Sequence, residues 1–165
     1  MDVRRVADDQ WDIVAWLWQA FRNDLAPVVD SFPQPDGRYN TAPLEGYPGV
    51  GREGWIAWAP HPNLGAPAPI GFALVSDLAT AEQSLAQFFV VPAARRTGVG
   101  RRLAAYVLAQ HPGPWRVGFQ HENPEAGAFW RRVFCEAFGA DGWVESRQAV
   151  EHKPQAPADH WIRTR

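Results

Sequence analysis

The spacing of apolar and polar positions changes period several times along the chain, and each change marks an element. Residues 2–6 (DVRRV) alternate weakly and predict an opening strand. Asp8 and Asp9 stand as candidate caps for a helix through WDIVAWLWQAF, in which Ile13, Trp16, Leu17 and Ala20 would form an apolar face. By the same spacing Trp11, Trp16 and Trp18 are expected in the core. From residue 25 to 54 proline, glycine, aspartate and asparagine recur, so any helix there is expected to be short and the region to form a long loop. Loops of that length in compact domains are often functional. Apolar runs at 55–58 and 70–75 predict strands on either side of the turn residues PHPNLGAPAP. A strand over about 84–91 leads through a glycine turn into a helix over about 98–110, with Leu103, Ala104, Tyr106 and Val107 on one face. The segment HPGP ends that helix. Residues 115–119 then predict a strand, 124–138 a helix with Pro124 in its first turn, and 143–150 a strand. A Pro-rich loop leads to a last short strand, HWIRT, and Cys135 is expected as a buried small hydrophobe.

The resulting order is β, α, loop, three strands, α, β, α and two strands, with no internal repeat. A meander followed by crossovers implies an α/β fold: a mixed sheet of about seven strands with helices on both faces. At 165 residues, 46% hydrophobic and 21% charged, residues 1–165 are expected to form a single domain able to bury a core without disulfide or metal. The one cysteine and the N-terminal MDVRRVADD, which lacks an apolar signal-like run, point to a cytoplasmic protein. No apolar run approaches the ~20 residues of a membrane span. A net charge of −2 argues against general nucleic-acid binding. That charge is split: residues 1–82 hold 11 acids and 5 bases, residues 83–165 hold 7 acids and 11 bases. One half would suit an anion and the other a cation.

FFVVPAARRTGVGRRL is the most informative stretch. A strand ending in a glycine-bearing turn that opens a helix presents unpaired backbone N–H groups at the positive end of the helix dipole, where phosphate oxygens fit. A nucleotide P-loop needs a lysine and a hydroxyl after its last glycine; here Arg101 follows Gly100, and that reading fails. A dinucleotide fingerprint needs a third glycine where Leu103 stands. The arrangement Arg95, Arg96, Thr97, Gly98, Val99, Gly100 resembles instead the R/Q-x-x-G-x-G/A acyl-CoA signature of the GNAT N-acetyltransferase superfamily. Asn123, Ala126, Phe129 and Trp130 are similar to the later N-x-x-A-x-x-F-Y phrase of that family, and the element order matches. The resemblance covers roughly residues 71–138, the first seventy residues matching only in outline.

The resemblance implies a GNAT-like, mostly antiparallel twisted sheet flanked by helices, and acetyl-CoA (coenzyme A) as cosubstrate. It implies that Arg96, Thr97, Gly98, Val99, Gly100 and Arg101 cradle the coenzyme A pyrophosphate, with Arg95 and Arg101 supplying long-range charge, and that Phe89, Val90 and Val91 line the pantetheine arm. Asn123 would contact pantetheine near the thiol end; as helix N-cap before Pro124 it has an equally good structural role. Val99 and Leu103 read as core. Arg95 and Arg101 read either as charge for the phosphates or as solvated helix-end arginines.

Amine acetylation by a thioester needs a neutral amine, a polarised carbonyl and a departing thiolate. An amine with a pKa near ~10 is mostly protonated at neutral pH, so a base must free its lone pair. The resemblance implies that a main-chain N–H at a bulge in the fourth strand, expected near Val90, polarises the carbonyl. The tyrosine that often serves as acid in the family falls on Trp130, whose indole N–H gives up no proton at neutral pH. The glutamate that often serves as base falls on Gln87. His121 and Glu82 are therefore the candidate catalytic residues, with Glu45 and Tyr47 behind them; His121 has the intrinsic pKa suited to proton transfer. Acidic residues and Tyr39 and Tyr47 in the long loop suit a small, cationic amine acceptor. No metal site is expected, and a homodimer is the assembly that the resemblance implies. The reading is an N-acetyltransferase acting by direct attack in a ternary complex. The alternative, prompted by Gln87 and Trp130, is a non-catalytic acyl-CoA-binding or sensing module; a nucleotide-phosphate binder ranks third.

Overall fold

A computed structural model of the chain describes residues 1–150 and 155–165. Seven strands form one sheet: β1 (Asp2–Arg5), β2 (Glu53–Pro60), β3 (Pro67–Ser76), β4 (Gln83–Val90), β5 (Trp115–Phe119), β6 (Trp143–Gln148) and β7 (Asp159–Thr164). Their spatial order is β1-β2-β3-β4-β5-β7-β6, and every neighbouring pair is antiparallel except β4 with β5. Among the described residues three α-helices flank the sheet: α1 (Trp11–Val29), α2 (Val99–Gln110) and α3 (Pro124–Phe138). The Pro-rich loop expected after Val150 lies partly outside the described residues.

Period-2 alternation divides the core into two layers. Ile56, Phe72, Leu74 and Phe89 face α1 and bury Val14, Leu17 and Trp18. Trp55, Ala57, Ala73, Val75, Leu85, Val117 and Ile162 face the other way, onto Leu103, Ala104 and Val107 of α2 and Trp130, Val133 and Phe134 of α3. Helices thus cover both faces, and each single-residue step along a strand moves a side chain between them.

Three expectations need correction. The long loop begins later than expected, because α1 runs through Pro27 to Val29 and closes on Asp30, whose N–H donates to the Ala26 carbonyl. A proline in a last turn removes a single hydrogen bond, so the turn survives it. The buried stripe of α1 is Val14, Leu17, Trp18 and the half-buried Phe21 rather than one through Ile13, Trp16 and Ala20; Trp16 is 75% exposed. The stripe through Val14 takes the i, i+3, i+4, i+7 spacing equally well, and which stripe turns inward is set by the sheet. Cys135 is exposed on α3, because its neighbours Val133 and Phe134 take the inward positions.

Candidate active site

β4 and β5 are joined only through Gln83↔Trp115 and Ser84↔Arg116. Beyond that point β4 stays bonded to β3 and β5 to β7, so the two parallel strands diverge and open a cleft in the sheet. A cavity of about 150 Å³ occupies it, walled by Phe21 and Leu25 of α1 and by Ala126 and Trp130 of α3, with Gln87, Phe88 and Gly118 on the strand edges. Gly118 leaves room for the Trp161 ring, whose nearest atom would stand 3.1 Å from any Cβ there.

The bulge of β4 sits in this cleft. Leu74 pairs with Gln87 but Val75 with Leu85, which leaves Ala86 as the extra residue. The expectation of a bulge near Val90 is corrected: β4 is regular there, continued by Val91 N–H donating to the Ile70 carbonyl at 3.0 Å. That bond puts residues 87, 89 and 91 in hydrogen-bonding register with β3. The main-chain groups of Phe88 and Val90 consequently face the cleft. Phe89 turns its side chain into the α1-side core, and Val91 packs against that core too. Of the three residues expected along the pantetheine arm, only Val90 presents its main chain to the cleft. Phe88, which the sequence reading passed over, is its equivalent nearer the bulge.

After β4 a single 3-10 turn at Pro92–Ala94 leads into the glycine turn. Arg96 (φ 63°) and Gly98 (φ 84°) are both left-handed, and the Thr97 hydroxyl ties the turn by donating to the Ala94 carbonyl at 2.7 Å. The first main-chain bond of α2 runs from Arg102 N–H to the Gly98 carbonyl, and no side chain caps the helix. Among the described residues, the N–H groups of Arg96, Thr97, Gly98, Val99, Gly100 and Arg101 therefore have no acceptor. Gly100 abuts the Phe129 ring of α3, 3.2 Å from where a Cβ would stand. The side chains of the turn do different work from its amides. Val99 is buried, and Arg101 pairs with Glu136 of α3 at 3.2 Å. Arg95 is committed to the fold: its Nε donates to the Val90 carbonyl at 2.9 Å and its two terminal nitrogens to Asp24 of α1 at 3.2 and 2.7 Å. The Arg95 nitrogens thus bond to α1 and β4, the contacts a structural arginine would make.

Asn123 caps α3, its side-chain oxygen accepting Ala126 N–H at 3.1 Å, and it also lines the cleft. His121 lies in the turn after β5, between Gln120 and Asn123 of the cleft lining. Its Nδ1 is 3.0 Å from His160 Nε2, while His160 Nδ1 is 2.6 Å from a Glu145 oxygen. Glu145 in turn takes two hydrogen bonds from Arg131, at 2.7 and 2.8 Å. Sheet register assembles this row: Phe119 pairs with His160, and Ile162, two residues further along β7, pairs with Glu145. Arg131 hydrogen bonding holds the Glu145 carboxyl below its ordinary pKa against the opposing effect of burial, with His160 adding to the depression.

Glu82 is placed elsewhere. It precedes the closed end of the β4–β5 pair, facing Arg116 at 3.6 Å and Arg163 at 3.7 Å. Four residues of strand, about 13 Å, separate it from Ala86. Tyr47 packs on Trp11, and burial raises its hydroxyl pKa above the ordinary value. Trp11 stands ten residues before Phe21 on α1, about 15 Å along the axis. Glu45 is exposed in the same segment. The loop itself is pinned to α1, with Gln19 bonding both main-chain groups of Tyr39 and Trp18 Nε1 donating to the Asn40 carbonyl at 2.9 Å.

No protein-family model matches the chain, and no curated protein matches it by sequence. Solved structures do match over nearly the whole chain. Arabidopsis thaliana NAA60, in complex with a bisubstrate analogue, superposes with a TM-score of 0.65 at 12% identity, covering 99% of this chain and 97% of its own. A chimera of the spermidine N-acetyltransferase SpeG from Vibrio cholerae with hSSAT gives 0.63 at 13% identity, with coverage of 99% and 96%. A Bacteroides thetaiotaomicron structure described as a GNAT-family acetyltransferase gives 0.57 at 16%, with coverage of 99% and 86%. The chain therefore has the GNAT acetyltransferase fold.

Proposed function

We propose that this protein is an acetyl-CoA-dependent N-acetyltransferase, with residues 1–165 acting as one domain on a small-molecule amine. The observation that carries the reading is the run of unpaired N–H groups from Arg96 to Arg101 at the end of a strand whose free edge borders the cleft. Six amides at a positive helix end suit a diphosphate, and the outward main-chain groups of Phe88, with the N–H of Val90 whose carbonyl is taken by Arg95, suit the amides of a pantetheine arm laid along β4. Acetyl-CoA, bound there, would supply an activated acyl group.

The chain's own groups then have separable tasks. Arg96 to Arg101 orient the cosubstrate through main chain, so Gly98 serves by conformation and Gly100 by its closeness to Phe129. Phe88 N–H, two residues past the Ala86 bulge, is the donor best placed to polarise a carbonyl in the cleft. Asn123 keeps its side-chain NH₂ for the cosubstrate while its oxygen caps α3. His121 takes a proton from the acceptor ammonium, and Phe21, Leu25 and Trp130 keep water from the thioester. Direct attack fits because among the described residues no cysteine or serine lines the cavity to carry an acyl intermediate.

A non-catalytic acyl-CoA-binding module remains the second reading, favoured by Gln87 and Trp130, which line the cleft with groups that transfer no proton. Thiol release from acetyl-CoA across a panel of polyamines, amino sugars and peptide amines separates the two. Turnover with any amine supports the enzyme; coenzyme A binding with no turnover across the panel supports the module.

A further inference from the structure

Four side chains from four elements form one continuous hydrogen-bonded row: Arg131 of α3, Glu145 of β6, His160 of β7 and His121 of the turn after β5, whose sequence neighbours Gln120 and Asn123 line the cleft. The sequence separation between Glu145 and His121 is 24 residues, and no pairwise motif joins them. With both imidazoles neutral, the tautomers follow from the donors and acceptors. A carboxylate accepts, so His160 must present Nδ1–H to Glu145. In a neutral His160 the other nitrogen, Nε2, then carries a lone pair and must accept from its neighbour. His121 therefore carries its proton on Nδ1, and its remaining nitrogen, Nε2, is left as a bare lone pair. The two imidazole planes are parallel, 4° apart with centroids at 5.3 Å. Phe119 lies parallel to His160 on one side, at 6° and 5.1 Å, and the Arg131 guanidinium stands over Phe119 at 5.6 Å.

We infer that His160, Glu145 and Arg131 are positioning residues that hold His121 as an Nε2 base and carry the positive charge away from the cleft. The inference rests on the acetyltransferase reading for its reaction, though not for its geometry. Nε2 of His121 takes one proton from the acceptor ammonium. As it does so, the Nδ1 proton of His121 can pass to His160 Nε2, which moves the imidazolium charge to the ring bonded to Glu145. The freed amine then forms the C–N bond as the C–S bond breaks; the second proton lost by nitrogen goes to the departing sulfur, and the imidazole pair returns its proton to water. Charged groups around the row are few. Arg131 and Glu145 touch it directly, Arg147 pairs across from His160 in the sheet but donates to the Ala158 carbonyl, and Glu122 and Asp159 adjoin the two histidines in sequence. Arg131 keeps Glu145 ionised, so the carboxylate is available to His160 throughout the neutral range. A structural ion pair alone would need neither the second histidine nor its bond to the first.

Two measurements test this on the whole chain. Nitrogen-15 histidine spectra at about pH 8, where histidines are largely neutral, should show His121 and His160 both protonated on Nδ1, with His121→Ala and His160→Phe assigning the signals. In Glu145→Gln, whose amide can donate as well as accept, the His160 signal should become a mixture of tautomers. A His121 ring protonated on Nε2 would overturn the inference whether or not the protein acetylates anything. In the acetylation assay, Glu145→Gln and His160→Phe should lower kcat for the amine at least about tenfold, as loss of a positioned base does, with KM for acetyl-CoA unchanged and Glu145→Asp recovering part of the rate. An unchanged kcat in folded Glu145→Gln protein would also overturn it. If wild type turns over no amine, the acetyltransferase reading fails by itself and the spectra alone decide the tautomer claim.

Discussion

Gly98 and Arg95 show how differently neighbouring residues of the same turn contribute. Gly98 sits at φ 84° with open space where a Cβ would be, so its constraint is conformational alone. Gly98→Ala should cost about 1–2 kcal/mol of stability, the penalty for a left-handed L-residue, and should weaken coenzyme A binding by tilting the amides beside it. Parallel urea unfolding and calorimetric titration would check both effects. Arg95 holds the end of α1 to the end of β4, with both it and Asp24 about two-fifths exposed. Its pair is therefore worth at most about 1 kcal/mol. Arg95→Ala should lower the unfolding free energy measured in urea by about that amount and leave affinity for the coenzyme diphosphate nearly intact; a large loss of affinity with little loss of stability would place Arg95 in the binding site. The distinction was illegible in the sequence, where both roles predict an arginine after PAA. The partner, Asp24, lies 71 residues away.

At the scale of elements, α2 and α3 approach closely enough that Gly100 rests on Phe129. Gly100→Val should push the helices apart, costing about 1–3 kcal/mol as overpacking does, and should slow acyl transfer through the displaced Asn123 cap and cleft wall. Thermal unfolding and the thiol-release assay would report it. The row on β6 and β7 gives a second expectation. The Glu145 carboxyl binds its proton more weakly folded than unfolded, because Arg131 hydrogen-bonds the ionised form. Its contribution to stability is then complete above the unfolded pKa, near ~4.3, and is lost as pH falls through the lower folded value. The gap in urea midpoint between wild type and Glu145→Gln should therefore be widest at neutral pH and close in strong acid. A gap that widened on acidification would contradict the bonding seen here. Local patterning had revealed the strands, α2, α3 and the N-cap at Asn123, because each is encoded within a few adjacent residues. It could not reveal that β7 inserts between β5 and β6, and so could not find His160 or Glu145 beside His121. The end of α1 was missed for a local reason: Pro27 reads as a breaker, yet it falls in a last turn that tolerates it.

Across the whole molecule, site and fold share one device. A parallel pair that separates after two residues supplies an unpaired strand edge, an opening in the sheet and a helix N-terminus alongside it. No helix among the described residues is long and apolar enough to cross a membrane. The uneven charge along the chain had suggested an anion-facing half; within it, Arg95 pairs with Asp24 and Arg101 with Glu136, while the main-chain N–H groups of the turn have no acceptor among the described residues and are the proposed binding element. A backbone titration with coenzyme A, following the amide resonances of Arg96, Thr97, Gly98, Val99, Gly100 and Arg101, tests that assignment most directly. The amides of the turn and that of Phe88 should shift together and saturate at one dissociation constant, with pantetheine, which lacks the diphosphate, moving Phe88 but leaving the turn unchanged. Unmoved turn amides at saturating coenzyme A would contradict it.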